Sequence, residues 1–114
     1  MICGILEIEI MNSMWTLTEQ DDDRNISVAD IVEHLKSVNI ERAYTTIKTV
    51  MDRLTSKDML VRYRNEKKFF YRSTLDREEM ARETLKEISN HFFKGSQVEM
   101  LRFIEKECES HLAY

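Results

Sequence analysis

The stretch TTIKTVMDRL, residues 45–54, decides the fold because its apolar and polar residues separate at helical spacing. At about 100° per residue, four apolar residues fall within one arc of a helix, namely Ile47, Val50, Met51 and Leu54. The polar residues centred opposite this arc are Thr45, Lys48, Thr49 and Asp52, with Thr46 and Arg53 on one flank. The pattern predicts a helix over about residues 44–57 that buries its apolar arc and exposes its threonines.

Two helices are predicted before this stretch. The first covers about residues 5–17, where apolar residues recur at i, i+3 and i+7 from Ile8 onward. The second opens at Ser27, because Ser27 with Asp30 three residues later resembles a capping box. The apolar stripe of this second helix, which we predict to be buried, consists of Val28, Ile31, Val32, Leu35 and Val38.

A β-hairpin is predicted directly after the third helix. In LVRYRNEKKFFYRS, residues 60–73, the period changes from helical to alternating, so that Arg62 and Arg64 share one face of a strand. The triplet NEK supplies a turn, and KFFYRS returns as a second strand rich in aromatic residues. The predicted hairpin therefore has a basic face and a basic tip.

Two more helices are predicted after the hairpin. A capping box at Asp76 starts a helix that runs to about residue 94, Gly95 is placed as its C-terminal cap, and Ser96 starts the last helix. These helices carry more apolar residues than a small three-helix core can cover, so we expect them to pair with a second copy. The candidate dimerisation residues are Leu85, Ile88, Phe92, Leu101, Ile104 and Leu112. The alternative is that these residues fold back onto the core of their own chain.

Length and composition limit the class of protein. With 114 residues, 42% of them apolar and 33% charged, the chain is expected to fold as a globular protein, neither disordered nor embedded in a membrane. Two glycines and no proline favour helices, so the expected fold class is mostly α with a small β-hairpin. Glu7 and Glu9 interrupt the apolar N-terminal run, which argues against a signal peptide. We therefore expect a cytoplasmic protein whose Cys3 and Cys108 are reduced.

Charge is segregated along the chain. The overall net charge is −4, but residues 1–40 carry −6, residues 41–73 carry +5 and residues 74–114 carry −3. The basic middle third coincides with the predicted third helix and hairpin. Such a local concentration of positive charge favours an anionic partner.

Three helices followed by a β-hairpin describe a winged helix-turn-helix, whose third helix enters the major groove of double-stranded DNA while the hairpin follows the backbone. Threonine hydroxyls and methyls suit base edges, whereas lysine and arginine reach phosphates or guanine. The candidate DNA-binding residues are Thr45, Thr46, Lys48, Thr49 and Arg53 on the helix, and Arg62, Arg64, Lys67 and Lys68 on the hairpin. Asp52 is a counter-signal, because phosphate repels a carboxylate. We expect a DNA-binding domain at residues 1–74 and a helical dimerisation region at residues 75–114.

Several segments together resemble one known family. AYTTIKTVMDRLTSKDML (43–60) followed by FFYRS (69–73) is similar to the recognition helix and wing of the penicillinase-repressor family, of BlaI/MecI/CopY type. LEIEIMNSMW (6–15) resembles the first helix of that family, and FFKGSQVEMLRFIEK (92–106) resembles the junction into its last helix. The resemblance implies a homodimeric repressor on a palindromic operator, held together by the helices after the wing.

Three departures from the family concern how repression would be relieved. The family is typically inactivated by a sensor protease that cuts an Asn-Phe bond in the last helix, whereas the matching position here is Arg102–Phe103. The copper-responsive branch carries paired Cys-x-Cys motifs, and this chain has only Cys108 there. A Gly-Arg turn in the wing is replaced by RNEKKF. The mode of derepression and the sensor protease as a partner therefore stay open.

Two other functions stay open from the residues alone. One is a protein-interaction module whose third helix docks a protein, and the other is a metal-responsive regulator that uses Cys108 with His111. Cys108 also lies on the apolar stripe of the last helix, where a buried thiol is expected. The sequence contains no Gly-rich phosphate loop, nucleophile elbow or HExxH motif, so we predict no enzyme, no catalytic residue, no cofactor and no metal site.

Overall fold

The structure is a computed structural model that describes residues 3–112, with side chains up to residue 110. The elements in chain order are α1 (Ile5–Thr18), α2 (Val28–Ser37), α3 (Tyr44–Ser56), β1 (Leu60–Asn65), β2 (Lys68–Ser73), α4 (Arg77–Phe92) and α5 (Gln97–Leu112). This order confirms the predicted fold class, a winged helix followed by two C-terminal helices. The chain divides into two compact units, one spanning Cys3–Arg77 and the other beginning at Glu78.

The ends of α2 follow from local chemistry. The Ser27 hydroxyl accepts a hydrogen bond from the Asp30 amide at 3.2 Å, and the Asp30 carboxylate accepts one from the Ser27 amide at 2.9 Å. The predicted capping box is therefore confirmed. The helix ends where Asn39 takes a left-handed φ of 66° and the Ile40 amide donates to the Leu35 carbonyl at 2.9 Å. This Schellman motif turns the chain sharply towards α3.

The end of α3 has the same geometry. Asp58 takes a left-handed φ of 61°, and the Met59 amide donates to the Leu54 carbonyl at 3.0 Å. Asp and Asn tolerate this region better than most residues with a side chain, because their short polar side chains bond locally. The turn delivers the chain directly into β1, so the position of the hairpin follows from the end of α3.

The core of the first unit is built from the inner faces of the three helices. All four residues of the predicted apolar arc of α3 are buried, and so are Ile10, Met11 and Met14 of α1 and Val28, Ile31 and Leu35 of α2. The predicted burial of Val38 is wrong, since this side chain is 50% exposed. Val38 occupies the C-cap of α2, where the helix ends and the helical stripe no longer applies.

The hairpin of β1 and β2, residues 60–73, is called the wing below. Its two-residue turn has φ of 49° at Glu66 and 70° at Lys67, which is the pattern of a type I′ turn. In the register, Arg62 faces Tyr71 and Arg64 faces Phe69. Residues directly opposite each other point to the same side, so this pair of arginines lies on one face with two aromatic rings, as the alternation predicts.

Several contacts hold the wing against the rest of the same unit, and two of them lie on the backbone of β2 and of the segment after it. The Tyr71 amide donates to the Ile26 carbonyl at 2.8 Å, which makes an isolated β-bridge just before α2. The Trp15 indole donates to the Leu75 carbonyl at 3.0 Å. These two contacts fix β2 and the segment that follows it, and neither has a signal in the sequence.

The second unit contains most of α4 and all of α5. The helix α4 ends at Phe92, two residues before the predicted end at residue 94. Gly95 takes a φ of 80°, and its amide donates to the Ser89 carbonyl at 3.0 Å, in agreement with its predicted role in ending the helix. The Ser96 hydroxyl accepts from the Glu99 amide at 3.1 Å and caps α5. Just after α4, the Phe93 ring packs 5.5 Å from that of Phe103.

Candidate nucleic-acid interface

The outer face of α3 is polar and accessible. Five side chains form this face, and all of them are exposed: Thr45, Thr46, Lys48, Thr49 and Arg53. The opposite side of the helix carries the buried apolar arc, so packing of that arc fixes which residues point outward. The face thus presents hydroxyls, methyls and two cations on one rigid element.

Thr49 has a defined hydrogen-bonding state. Its hydroxyl donates to the Thr45 carbonyl one turn earlier, at 2.9 Å. With its proton used in this way, the oxygen still accepts hydrogen bonds and the methyl group is left for apolar contact. Such a side chain suits an adenine or cytosine amino group, or the methyl of thymine, in the major groove.

Asp52 links the outer face of α3 to the wing. Its carboxylate accepts from Lys48 at 2.8 Å and from the Tyr71 hydroxyl at 3.0 Å, and it lies 4.0 Å from the Arg62 guanidinium. The hydrogen bond from Lys48, aided by Tyr71 and by the charge of Arg62, lowers the pKa of the Asp52 carboxyl despite some desolvation. The carboxylate is therefore firmly ionised at neutral pH.

Two exposed cations of the wing, Arg62 and Arg64, lie over one aromatic ring. The Arg62 guanidinium lies 4.5 Å from the centre of the Phe69 ring, and that of Arg64 lies 5.6 Å from it. Lys67 and Lys68 are exposed at the tip. These four of the cations of the wing are thus available to an anionic surface that follows it.

A groove of about 290 Å³ lies between α3, the start of α2 and the wing. Its lining includes three cations and three aromatic residues, Lys48, Arg62, Lys68, Tyr44, Phe69 and Tyr71. Cations beside aromatic rings are suited to a sugar-phosphate backbone, because the cations neutralise phosphate and the rings cover the sugar.

A buried ion pair supports α3 from behind. The Glu7 carboxylate is only 5% exposed, accepts from Lys57 at 2.7 Å and from the Gly4 amide at 3.0 Å, and lies 3.8 Å from Arg53. Burial alone would raise the pKa of the Glu7 carboxyl, but the hydrogen bonds from Lys57 and Gly4 outweigh it and lower this pKa. The pair joins the start of α1 to the end of α3.

Comparison with known proteins points to a family that is consistent with the winged-helix fold described above. The chain matches the family model for the penicillinase repressor over residues 3–111. The chain belongs to the penicillinase repressor family. A relative from Staphylococcus aureus, named penicillinase repressor, is 26% identical over 105 residues, which cover 91% of this chain and 78% of the relative. The resemblance inferred from the sequence is confirmed, and membership places the chain among transcriptional repressors, which typically are not enzymes.

In this repressor the C-terminal helices expose apolar side chains. Among the candidate dimerisation residues, the exposed fractions are 47% for Leu85, 74% for Phe92, 55% for Leu101 and 44% for Ile104. Ile88 is half-buried. The side chain of Leu112 lies outside the described residues, although its backbone forms the end of α5.

Cys108 of the repressor is exposed, so the expectation of a buried thiol at this position is wrong within a single chain. The apolar stripe that suggested burial is itself exposed along α5, for example at Leu101 and Ile104. Among the described residues, no group of three potential ligands could hold a metal ion, and the His111 side chain lies outside them. Over residues 3–112, no helix is long and apolar enough to cross a membrane.

Sequence reasoning missed the contacts of Asp52 with the wing. It treated Asp52 as a counter-signal to nucleic-acid binding, because it considered the carboxylate alone. The i, i+4 spacing of Lys48 and Asp52 is a readable signal for their ion pair. The hydrogen bond from Tyr71 has no such signal, because it depends on how the wing folds back towards α3.

Proposed function

We propose that this member of the penicillinase repressor family is a sequence-specific DNA-binding repressor that acts as a homodimer on a palindromic operator. The observation that carries the proposal is the exposed set of threonines and cations on the outer face of α3, directly beside a basic wing. In a winged helix, α3 enters the major groove and the wing follows the backbone. The basic charge of residues 41–73 supports the same orientation.

The roles divide by chemistry. Thr45, Thr46 and Thr49 contact base edges, where hydroxyls and methyls discriminate between base pairs. Lys48 and Arg53 reach guanine or flanking phosphates from the same helix. Four cations of the wing neutralise phosphates, which positions the protein without reading sequence, and they are Arg62, Arg64, Lys67 and Lys68.

The homodimer rests on the exposed apolar side chains of α4 and α5. A second copy related by a two-fold axis covers the same residues on both chains. Two copies then present their α3 helices to half-sites about 34–36 Å apart, one helical turn of DNA. A palindromic operator follows from the symmetry of the dimer.

The sensor protease of the family is an open candidate partner, because this chain has Arg102–Phe103 where the family has the Asn-Phe bond that the protease cuts. The bond that matches its cleavage site, Arg102–Phe103, lies within α5, and the Phe103 ring packs on Phe93. A cut at this bond would divide the helix on which the dimer depends. Loss of the dimer would then release the operator, because each half-site alone binds weakly.

The decisive experiment selects bound sequences from a random pool of double-stranded DNA, using the full chain. We expect enrichment of a palindrome, and a binding constant for that palindrome that falls steeply as salt increases. A protein-interaction module would enrich no sequence and would show no steep salt dependence. That result would refute the proposed function.

A further inference from the structure

Asp52, on the outer half of α3, makes contacts within α3 and with both strands of the wing. One carboxylate oxygen accepts from Lys48 of α3 itself, and the other accepts from Tyr71 of β2. The second oxygen also lies 4.0 Å from Arg62 of β1. A single negative charge therefore holds two of the cations that the proposed function assigns to DNA.

Tyr71 makes this arrangement rigid. Its side chain is 2% exposed, and its amide is fixed to the Ile26 carbonyl at 2.8 Å. Burial, followed by the hydrogen bond to Asp52, raises the pKa of Tyr71 to about 12, so the hydroxyl stays protonated and keeps donating. The carboxylate is thus oriented from a fixed point in the core, while its own side chain is 40% exposed.

We propose that Asp52 is a positioning residue that sets sequence discrimination by holding Lys48 and Arg62 in place and by cancelling one of their charges. The inference rests on the proposed DNA-binding function and concerns how specificity arises within it. Phosphates attract free cations on any sequence, so a cation that is neutralised locally adds little to non-specific binding. On the operator, the same cation is already oriented for a base or a phosphate at one place.

The alternative is that Asp52 only stabilises the fold, as many surface ion pairs on helices do to a small extent. A structural role would change stability but would leave the salt dependence of binding and the ratio of affinities unchanged. The two roles are therefore separated by measurements on DNA, provided that each variant is shown to fold.

The first measurement needs no DNA. Asp52→Asn keeps the size of the side chain but removes the charge next to the Tyr71 hydroxyl. We expect spectrophotometric titration to place one tyrosine of the wild-type protein at a pKa of about 12, and to find this value lowered in Asp52→Asn. An unchanged titration would mean that the contact does not exist in solution, and the inference would be overturned.

The second measurement compares affinity for the selected operator with affinity for a scrambled duplex across a salt series. For Asp52→Asn we expect about tenfold tighter binding to the scrambled duplex at ~0.1 M salt, and a salt slope steeper by roughly 0.9 per protomer, because Lys48 is released to a phosphate. We expect operator affinity to rise less or to fall, so that discrimination drops about tenfold. Tyr71→Phe should lower discrimination without changing the slope, since it removes no charge.

The control is Glu33→Gln, which makes the same change in net charge at an exposed site on α2. It should leave both the slope and the ratio of affinities at their wild-type values. If Asp52→Asn behaves like Glu33→Gln while the wild-type protein discriminates its operator, Asp52 is not a positioning residue. If the wild-type protein itself fails to discriminate, the proposed function fails, and that outcome is recognised before any variant is made.

Discussion

The wing with the outer face of α3, and the pair α4–α5, expose opposite kinds of surface. On the first, the exposed side chains include threonines and cations, although Val61 and Phe69 of the wing are exposed as well. Asp52 joins α3 to the wing through its hydrogen bond from Tyr71. On the second, large apolar side chains are exposed, among them Phe92 at 74% and Leu101 at 55%. The first surface is compatible with water until a polar partner arrives, whereas the second gains free energy as soon as it is covered.

This difference in polarity indicates which kind of partner each surface favours. Burying apolar area contributes about 25 cal/mol per Å², so the exposed face of α4–α5 favours an apolar partner such as its own copy. A polar, cationic face gains nothing from such a partner, but it gains counterion release from DNA. The two surfaces thus favour different kinds of partner, and substitutions on each surface test them separately.

The largest expected effect comes from placing a charged side chain on the exposed apolar surface of α4 and α5. Leu101→Glu would place a carboxylate in the proposed dimer interface, where it has no partner. We expect a monomer by analytical ultracentrifugation, and operator affinity lowered by about 10²–10⁴-fold because the two half-sites are no longer bound together. Lys106→Glu is the control, since about 140° of helix rotation separates it from Leu101 on α5. A Leu101→Glu protein that remains dimeric would remove α5 from the interface.

The second prediction tests the buried ion pair of Glu7 and Lys57, which supports α3 from behind. Glu7→Gln leaves Lys57, whose side chain is 19% exposed, without its buried partner. We expect the free energy of unfolding to fall by about 2–3 kcal/mol at neutral pH. Chemical denaturation of the two proteins measures the difference.

The stability difference between wild type and Glu7→Gln should change with pH, and the direction of that change follows from the pKa of Glu7. Folding lowers the pKa of the Glu7 carboxyl from its ordinary value of 4.5. The contribution of Glu7 is therefore complete above about pH 5, and it is lost as the pH falls through the folded pKa. The stability difference between wild type and Glu7→Gln should shrink in acid. A difference independent of pH would mean that packing rather than charge accounts for the loss.

The third prediction concerns recognition of the base sequence by the outer face of α3. Thr49→Ala should weaken binding to the operator by about 1–2 kcal/mol per protomer, and should leave binding to scrambled DNA nearly unchanged. Alanine favours the helix more than threonine does, so unfolding cannot explain the loss. Thr16→Ala, at an exposed site on α1, is the matched control in a gel-shift titration. If full discrimination survived in Thr49→Ala, Thr49 would not be a reading residue.

Much of the fold could be predicted from the sequence because it follows from patterns that span only a few residues. The capping box of Ser27 and Asp30, the buried arc of α3 and the alternation in the wing each span a few residues. The bridge of Ile26 to Tyr71 and the pair of Glu7 with Lys57 join residues that are distant in the chain. No periodicity signals such contacts, so the sequence could not predict them.

The candidate site divides in the same way. Exposure of the threonines follows from burial of the opposite arc, which a single helix specifies. Their contacts with DNA stay a prediction. The hydrogen bond from Tyr71 to Asp52 depends on where the wing lies relative to α3, and that position is set by long-range contacts. From the sequence alone, the Asp52 carboxylate is expected only to repel phosphate. In the structure it also accepts hydrogen bonds from Lys48 and Tyr71.

The smallest effect separates the two roles of the turn in the wing. Lys67 holds a left-handed φ of 70°, so Lys67→Gly should relieve backbone strain and stabilise the protein by about 0.5–1 kcal/mol. The same change removes a cation, so affinity for operator and scrambled DNA should fall equally, with a salt slope smaller by about 0.9 per protomer. Lys68→Gln, next in the chain and within β2, loses the charge without the backbone relief. If both variants gained stability alike, charge repulsion at the tip rather than φ would be the cause; if only Lys67→Gly gains, the backbone and the charge of the wing act independently.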